Sequence, residues 1–93
     1  MLKSFASKET ERVWHGIRSR SLPDDVQRIA RRKLRMINNA QDISDLRVPP
    51  ENRLEALKGN RIGQHSARIN QQWRICFKWH DGDAYNIEIV DYH

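Results

Sequence analysis

Arg68 and Arg74 flank a short turn, Asn70-Gln71-Gln72, and the alternation on either side sets them directly opposite each other on paired strands. Like charges in that position are destabilising, so the pair calls for compensation. A bound anion gripped by both guanidinium groups would supply it. Glu88 neutralising Arg74 from a third strand, with Arg68 turned to solvent, would supply it equally. The chain then closes on Asp91-Tyr92-His93, which adds a carboxylate, a phenol and an imidazole that titrates near neutrality. A frayed tail is the plainer reading of those residues.

Other chemistries find less support. His15, His65, His80 and His93 are scattered, and there is no helical zinc motif, P-loop or dinucleotide-binding glycine pattern. No metal and no cofactor are therefore expected. Cys76 is the single cysteine, which rules out an internal disulfide; its mid-strand place suggests a packed small residue. Trp14, Trp73 and Trp79 fall at core-facing positions and read as packing. Arg28, Arg31, Arg32 and Arg35 lie off the apolar stripe of a helix, either as a solvated face or as a nucleic-acid contact.

The elements that position these groups change character halfway along the chain. Residues 2–5 alternate briefly, as an edge strand would. Ser7 is a candidate N-cap with Glu9 and Glu11 in the first turn, and Thr10, Val13, Trp14 and Ile17 share a helical face that Gly16 should cut short. Ser21 with Asp24 resembles a capping box, with Pro23 in the first turn, ahead of the stripe Val26, Ile29, Ala30, Leu34 and Ile37. Asn38-Asn39 ends that helix. Pro49-Pro50, with Asp42, Asp45 and Asn52, marks a connection or short turns, and residues 53–57 suggest a brief strand.

From Gln64 the apolar residues alternate: His65, Ala67 and Ile69, then Trp73, Ile75, Phe77 and Trp79, then Tyr85, Ile87 and Ile89. A two-residue Asp81-Gly82 turn would pair Phe77 with Asn86 and mix the faces. A three-residue loop, His80-Asp81-Gly82, pairs Phe77 with Tyr85 and Ile75 with Ile87, and is the expected register. Arg68, Arg74 and Glu88 would then form one row on the far face. Helices first and strands after imply an α+β fold, with an N-terminal strand and two helices on one face of a small antiparallel sheet.

At 93 residues the chain suits one domain, 1–93, with a modest core. A net charge of +5 favours polyanionic partners, nucleic acid or an acidic protein. No apolar run reads as a signal peptide or a membrane span, so no membrane partner and a cytoplasmic location are expected.

The segments 52–59 (Asn-Arg-Leu-Glu-Ala-Leu-Lys-Gly), 72–77 (Gln-Trp-Arg-Ile-Cys-Phe) and 88–93 (Glu-Ile-Val-Asp-Tyr-His) resemble the HigB toxins of the RelE-like superfamily. The resemblance covers essentially the whole chain and is specific over residues 47–93. It implies a RelE-like fold and a type II toxin that cleaves messenger RNA on the 70S ribosome. It also implies a HigA-like helix-turn-helix antitoxin, with DNA met only through the antitoxin complex. By the same resemblance Lys58, Arg74, Asp91, Tyr92 and His93 are catalytic candidates, and Glu55 stands where some relatives carry histidine. Arg68 and Asn70 join them, from strand geometry, as ligands of RNA phosphate. A non-enzymatic RNA- or protein-binding module, and a gyrase-poisoning toxin of the ParE type on the same fold, are the competing readings.

Overall fold

A computed structural model describes residues 1–92, and His93 lies outside the described residues. Two helices come first, α1 (Lys8–Trp14) and α2 (Asp24–Asn39). A four-stranded antiparallel sheet follows, β1 (Glu55–Ala56), β2 (Gln64–Arg68), β3 (Trp73–His80) and β4 (Asp83–Asp91), paired in chain order. This is the expected α+β arrangement.

Ser7 caps α1, its hydroxyl accepting from the Thr10 amide, and Gly16 at φ 77° lets the chain leave the helix after little more than two turns. Thr10 and Val13 are buried, and the Thr10 hydroxyl accepts from the buried Ile89 amide, tying α1 to β4. Ile17 departs from expectation. It follows the helix end and stands 48% exposed.

The capping box expected at Ser21 does not form. Pro23 holds the N-cap position without a side-chain bond. Gln27 organises the entry instead, accepting from the Ser19 amide and donating to the Ser19 and Leu22 carbonyls. The stripe Val26, Ala30, Leu34 and Ile37 is buried as the period predicts. Lys33 is also buried, and donates to Asn52 Oδ1 at 2.5 Å. Asn52 in turn donates to the Leu46 and Val48 carbonyls, so one amide ties α2 to the 3-10 turns of the connection (Ile43–Arg47 and Pro50–Asn52).

Between β2 and β3 the register is the expected one, with Arg68 opposite Arg74. Between β3 and β4 it is not. The turn is the two-residue Asp81-Gly82, both at positive φ (50° and 81°), with His80 opposite Asp83 and Trp79 opposite Ala84. A bulge then intervenes. Lys78 pairs with Tyr85 and Cys76 with Glu88, so Phe77 alone faces Asn86 and Ile87. Asn86, at φ 53°, is the extra residue. It restores the apolar face beyond it, where Ile75 meets Ile89. Tyr85 is thereby placed with Lys78 on the face away from the helices, not with Ile87.

The N-terminal segment completes the sheet at the β4 edge. Leu2 and Phe5 bridge Ala84 and Ile87 in parallel, as isolated bridges at either side of the bulge. Phe77, Leu34, Ile37, Leu46, Ile75 and Ile87 are fully buried between helices and sheet, with the three tryptophans packed around that core. The helices thus cover one face of the sheet. Among the described residues no helix is long and apolar enough to cross a membrane.

Candidate active site

The face away from the helices carries the row Glu55, Ser66, Cys76 and Glu88 across all four strands, with Ser66 and Cys76 fully buried, and beside it Arg68, Arg74 and Val90. The bulge therefore separates Arg74 from Glu88, and the expected row of Arg68, Arg74 and Glu88 is not formed. Glu88 accepts instead from Arg61 at 2.9 Å.

Arg61 reaches Glu88 because of the loop between β1 and β2. Leu57 is buried and its amide bonds the Gln64 carbonyl, closing the loop at its base. Gly59 and Gly63, at φ 66° and 91°, make the two bends that lay a 3-10 turn (Gly59–Arg61) over the end of the sheet. Arg61 Nη1 donates to both Gln64 and Glu88, and the Glu88 bond favours its charged form beyond the ordinary arginine value.

The loop and the end of β4 border a shallow, open cavity of about 370 Å³ lined by Lys58, Asn60, Arg61, Val90, Asp91 and Tyr92. The tail at this point is held in place. The Tyr92 amide donates to the Gln72 carbonyl at 2.6 Å, and the Gln72 side chain donates to Asp91. A frayed tail is thus excluded as far as Tyr92.

Arg74 supports the cavity from beside it. Its guanidinium carbon lies 5.6 Å from the centroid of the Tyr92 ring, and its side chain is only 13% exposed. One nitrogen donates to the Arg53 carbonyl at 2.6 Å, and Arg53 can present that carbonyl because it sits in the left-handed region at φ 42°. Glu55 approaches Arg74 at 3.9 Å, a loose pair with the carboxylate half exposed. Arg74 Nε is buried with no hydrogen-bond partner among the described residues.

Arg68 and Asn70 are directed elsewhere. Arg68 turns back to the Asn70 carbonyl at 3.0 Å, which relieves its repulsion with Arg74. Both residues line a second cavity against α2. Of the expected site residues, Lys58, Asp91 and Tyr92 thus share a cavity, with Arg74 against Tyr92 and Glu55 against Arg74. Arg68 and Asn70 do not join them, and His93 falls outside the described residues.

Arg61 and Asn60 belong to the cavity and were not among the expected residues. The sequence signal was Lys58-Gly59-Asn60-Arg61, a glycine bend that carries a second cation back over the sheet. Cys76 is wholly buried, and burial pushes its thiol pKa up, away from nucleophilic use. His65 is held neutral by burial, which lowers its pKa. No cluster of three or more histidine, cysteine or acidic side chains able to hold a metal occurs among the described residues.

The profile described as "RelE-like toxin of type II toxin-antitoxin system HigB" matches residues 3–93. Toxin HigB-1 of Vibrio cholerae serotype O1 is 46% identical over 69 residues, which are 74% of this chain and 73% of that protein. Endoribonuclease HigB of Proteus vulgaris is 37% identical over 94 aligned positions spanning both chains entirely. In the YoeB–YefM toxin–antitoxin complex of Staphylococcus aureus, the matching chain superposes with a TM-score of 0.61 at 20% identity, covering all of this chain and 98% of its own. That likeness shows the shared RelE-like fold. From the match across residues 3–93 and the identity to both HigB proteins, the chain belongs to the HigB-like family of RelE-like toxins of type II toxin–antitoxin systems.

Proposed function

We propose that the chain is a metal-independent endoribonuclease that cleaves messenger RNA on the 70S ribosome, arrests translation and growth, and is neutralised by a HigA-like helix-turn-helix antitoxin. The observation that carries the reading is the cavity in which Lys58 and Arg61 face Asp91 and Tyr92, with Arg74 against the Tyr92 ring. The relative named as an endoribonuclease supports the activity, and the neighbour solved with its antitoxin supports a protein partner. DNA is met only through the antitoxin complex, and the reaction is placed in the cytoplasm with its ribosomal substrate.

In this reading the 2′-hydroxyl of one nucleotide attacks the adjacent phosphorus. Its proton passes to a base, the bond to the 5′ oxygen breaks, and an acid protonates that oxygen. A 2′,3′-cyclic phosphate and a 5′-hydroxyl result. Lys58 and Arg74 are assigned to the charge that builds on the phosphorane, because donors already fixed in place stabilise it without reorganisation. Arg61 is pre-positioned by Glu88 to join them. Glu55, Asp91 and His93 are the candidate proton carriers, with Asp91 orienting His93 or carrying the proton itself. Tyr92, half exposed above Arg74, offers a ring on which a splayed base can stack.

The direct test is single-turnover cleavage of a message on purified ribosomes, with mapping of the new 5′ ends. Substituting 2′-deoxyribose at the scissile nucleotide is expected to abolish cleavage. Continued cleavage of that substrate would refute the 2′-hydroxyl route. Protected rather than cut RNA would favour a plain binding module, and DNA damage with intact transcripts a gyrase poison.

A further inference from the structure

The second cavity, of about 510 Å³, opens between α2 and the turn joining β2 to β3. Arg28 and Arg32, one turn apart on α2, line one side; Arg68 and Asn70 line the other. Arg28 and Arg32 are exposed, and neither takes part in an ion pair among the described residues. Arg68 is anchored through Nε to the Asn70 carbonyl, which leaves the terminal nitrogens of its guanidinium as donors. The Asn70 side-chain oxygen is consumed by the Gln72 and Trp73 amides, both at 2.8 Å, so the group it can offer a ligand is its amide nitrogen. Lys33, buried at the cavity wall, adds positive charge from behind, and Glu51 is the carboxylate at the rim. Arg28, Arg32, Arg68 and Asn70 are thus all donors, and an anion with several acceptor oxygens is what they suit.

The position of this cavity is equally informative. Arg68 stands directly opposite Arg74 on the neighbouring strand, and Arg74 touches Tyr92. A cationic path therefore leads from the cavity at the tail, across Arg74 and Arg68, around the β2–β3 turn to Arg32 and Arg28. We propose that the second cavity binds the phosphodiester backbone of the RNA strand beside the cleavage point, with Arg28, Arg32, Arg68 and Asn70 gripping a flanking phosphate rather than the scissile one. That the strand is the substrate rests on the nuclease reading above; the affinity for RNA phosphate rests on the donors of this cavity alone.

The experiment uses uncleavable 2′-O-methyl RNA of four, eight and twelve nucleotides, with anisotropy read between 50 and 200 mM salt. The wild-type chain gains affinity with length. The double variant Arg28→Ala/Arg32→Ala changes exposed side chains only, and its thermal unfolding checks that it folds. It is expected to lose about tenfold in affinity for the twelve-mer and little for the four-mer, and its salt slope falls by about 0.7 as the contact to that one phosphate is lost. On ribosomes its KM rises by a similar factor while kcat is retained. Arg35→Ala, on the same helix outside the cavity, is the control and binds as wild type.

A double variant that matches wild type at every length and salt concentration overturns the proposal and leaves these arginines to an acidic protein partner. An equal loss for four-mer and twelve-mer overturns the flanking assignment. The binding arm needs no cleavage. A wild-type chain that binds by length yet cuts no ribosome-bound message would therefore sink the nuclease reading and leave the cavity's affinity standing.

Discussion

The Arg74 guanidinium lies 5.6 Å from the centre of the Tyr92 ring while one of its nitrogens donates to the Arg53 carbonyl at 2.6 Å. A residue at the start of β3 is thereby coupled to the tail and to the turn before β1. The charge is held by a backbone carbonyl, an aromatic face and a loose carboxylate. None of these neutralises it as a close ion pair would, so its field remains available to a phosphate.

Arg74→Ala is accordingly expected to fold and to lose growth arrest. Cleavage should drop by about a hundredfold, the scale for removing one fixed charge-stabilising donor. Arg74→Lys keeps the charge but loses the planar contact with Tyr92, and should recover only part of the activity. Growth arrest at wild-type strength by the alanine variant would remove Arg74 from the site.

Arg61 gives a second prediction. Glu88 and Gln64 share its Nη1, so its orientation depends on a carboxylate that points into the sheet face rather than at the substrate. Glu88→Gln keeps the shape of the side chain and a weaker bond. Arg61→Ala should lower kcat/KM by about tenfold, and Glu88→Gln by less, as befits a positioning residue. If Glu88→Gln were the more damaging of the two, Glu88 would itself be contacting the reacting groups.

Asn86 supplies a third prediction and explains where the sequence was misread. The Asp81-Gly82 dipeptide is a strong signal for a two-residue turn, and it does form one. Pairing along regular strands made that turn look inconsistent with the apolar alternation. The alternation is reconciled by an extra residue at Asn86, five positions after the turn begins, and a single polar residue among alternating ones gives no local sign of a bulge. Asn86→Gly should be neutral or mildly stabilising because φ 53° suits glycine. Asn86→Val should cost about 1–2 kcal/mol for placing a branched residue in the left-handed region. Urea unfolding checks both, and a harmless valine would argue against the bulge.

The placement of the candidate residues was legible at Lys58, Asp91 and Tyr92, which the family resemblance pointed to and which line one cavity, with Arg74 against the Tyr92 ring. It was unreadable where side-chain direction decides. Arg68 and Arg74 do face each other across the strands, as the turn length implied, yet they bend to different carbonyls and serve different cavities. Strand register fixes the position of a Cα, while a long arginine side chain chooses its own acceptor. Lys33 makes the same point, since its burial depends on the amide of Asn52, nineteen residues away.

His65 yields a prediction in pH. Burial lowers its pKa, its Nδ1 is buried with no hydrogen-bond partner among the described residues, and its ring stacks beside that of Phe77. Its folded pKa therefore lies below the unfolded value of about 6.5. The unfolded chain binds the extra proton in the window below that value, so stability falls as pH drops below neutrality and is complete above it. His65→Phe should flatten the fall in thermal midpoint between pH 7 and pH 5. An unchanged slope would mean that another group carries the acid sensitivity.

The last residues give the final test. Gln72 fixes the tail twice, through its carbonyl to the Tyr92 amide and through its side chain to Asp91. Tyr92 and Asp91 are thereby fixed in the cavity that Lys58 and Arg61 also line. Removing His93 is expected to lower single-turnover cleavage by about tenfold or more, with little change in thermal stability. Gln72→Ala, which keeps the backbone bond but removes one side-chain contact of Asp91, should show a milder loss that appears in kcat rather than KM, because it disturbs orientation rather than phosphate contact. Equal rates for the shortened and complete chains would return proton transfer to Glu55 and Asp91.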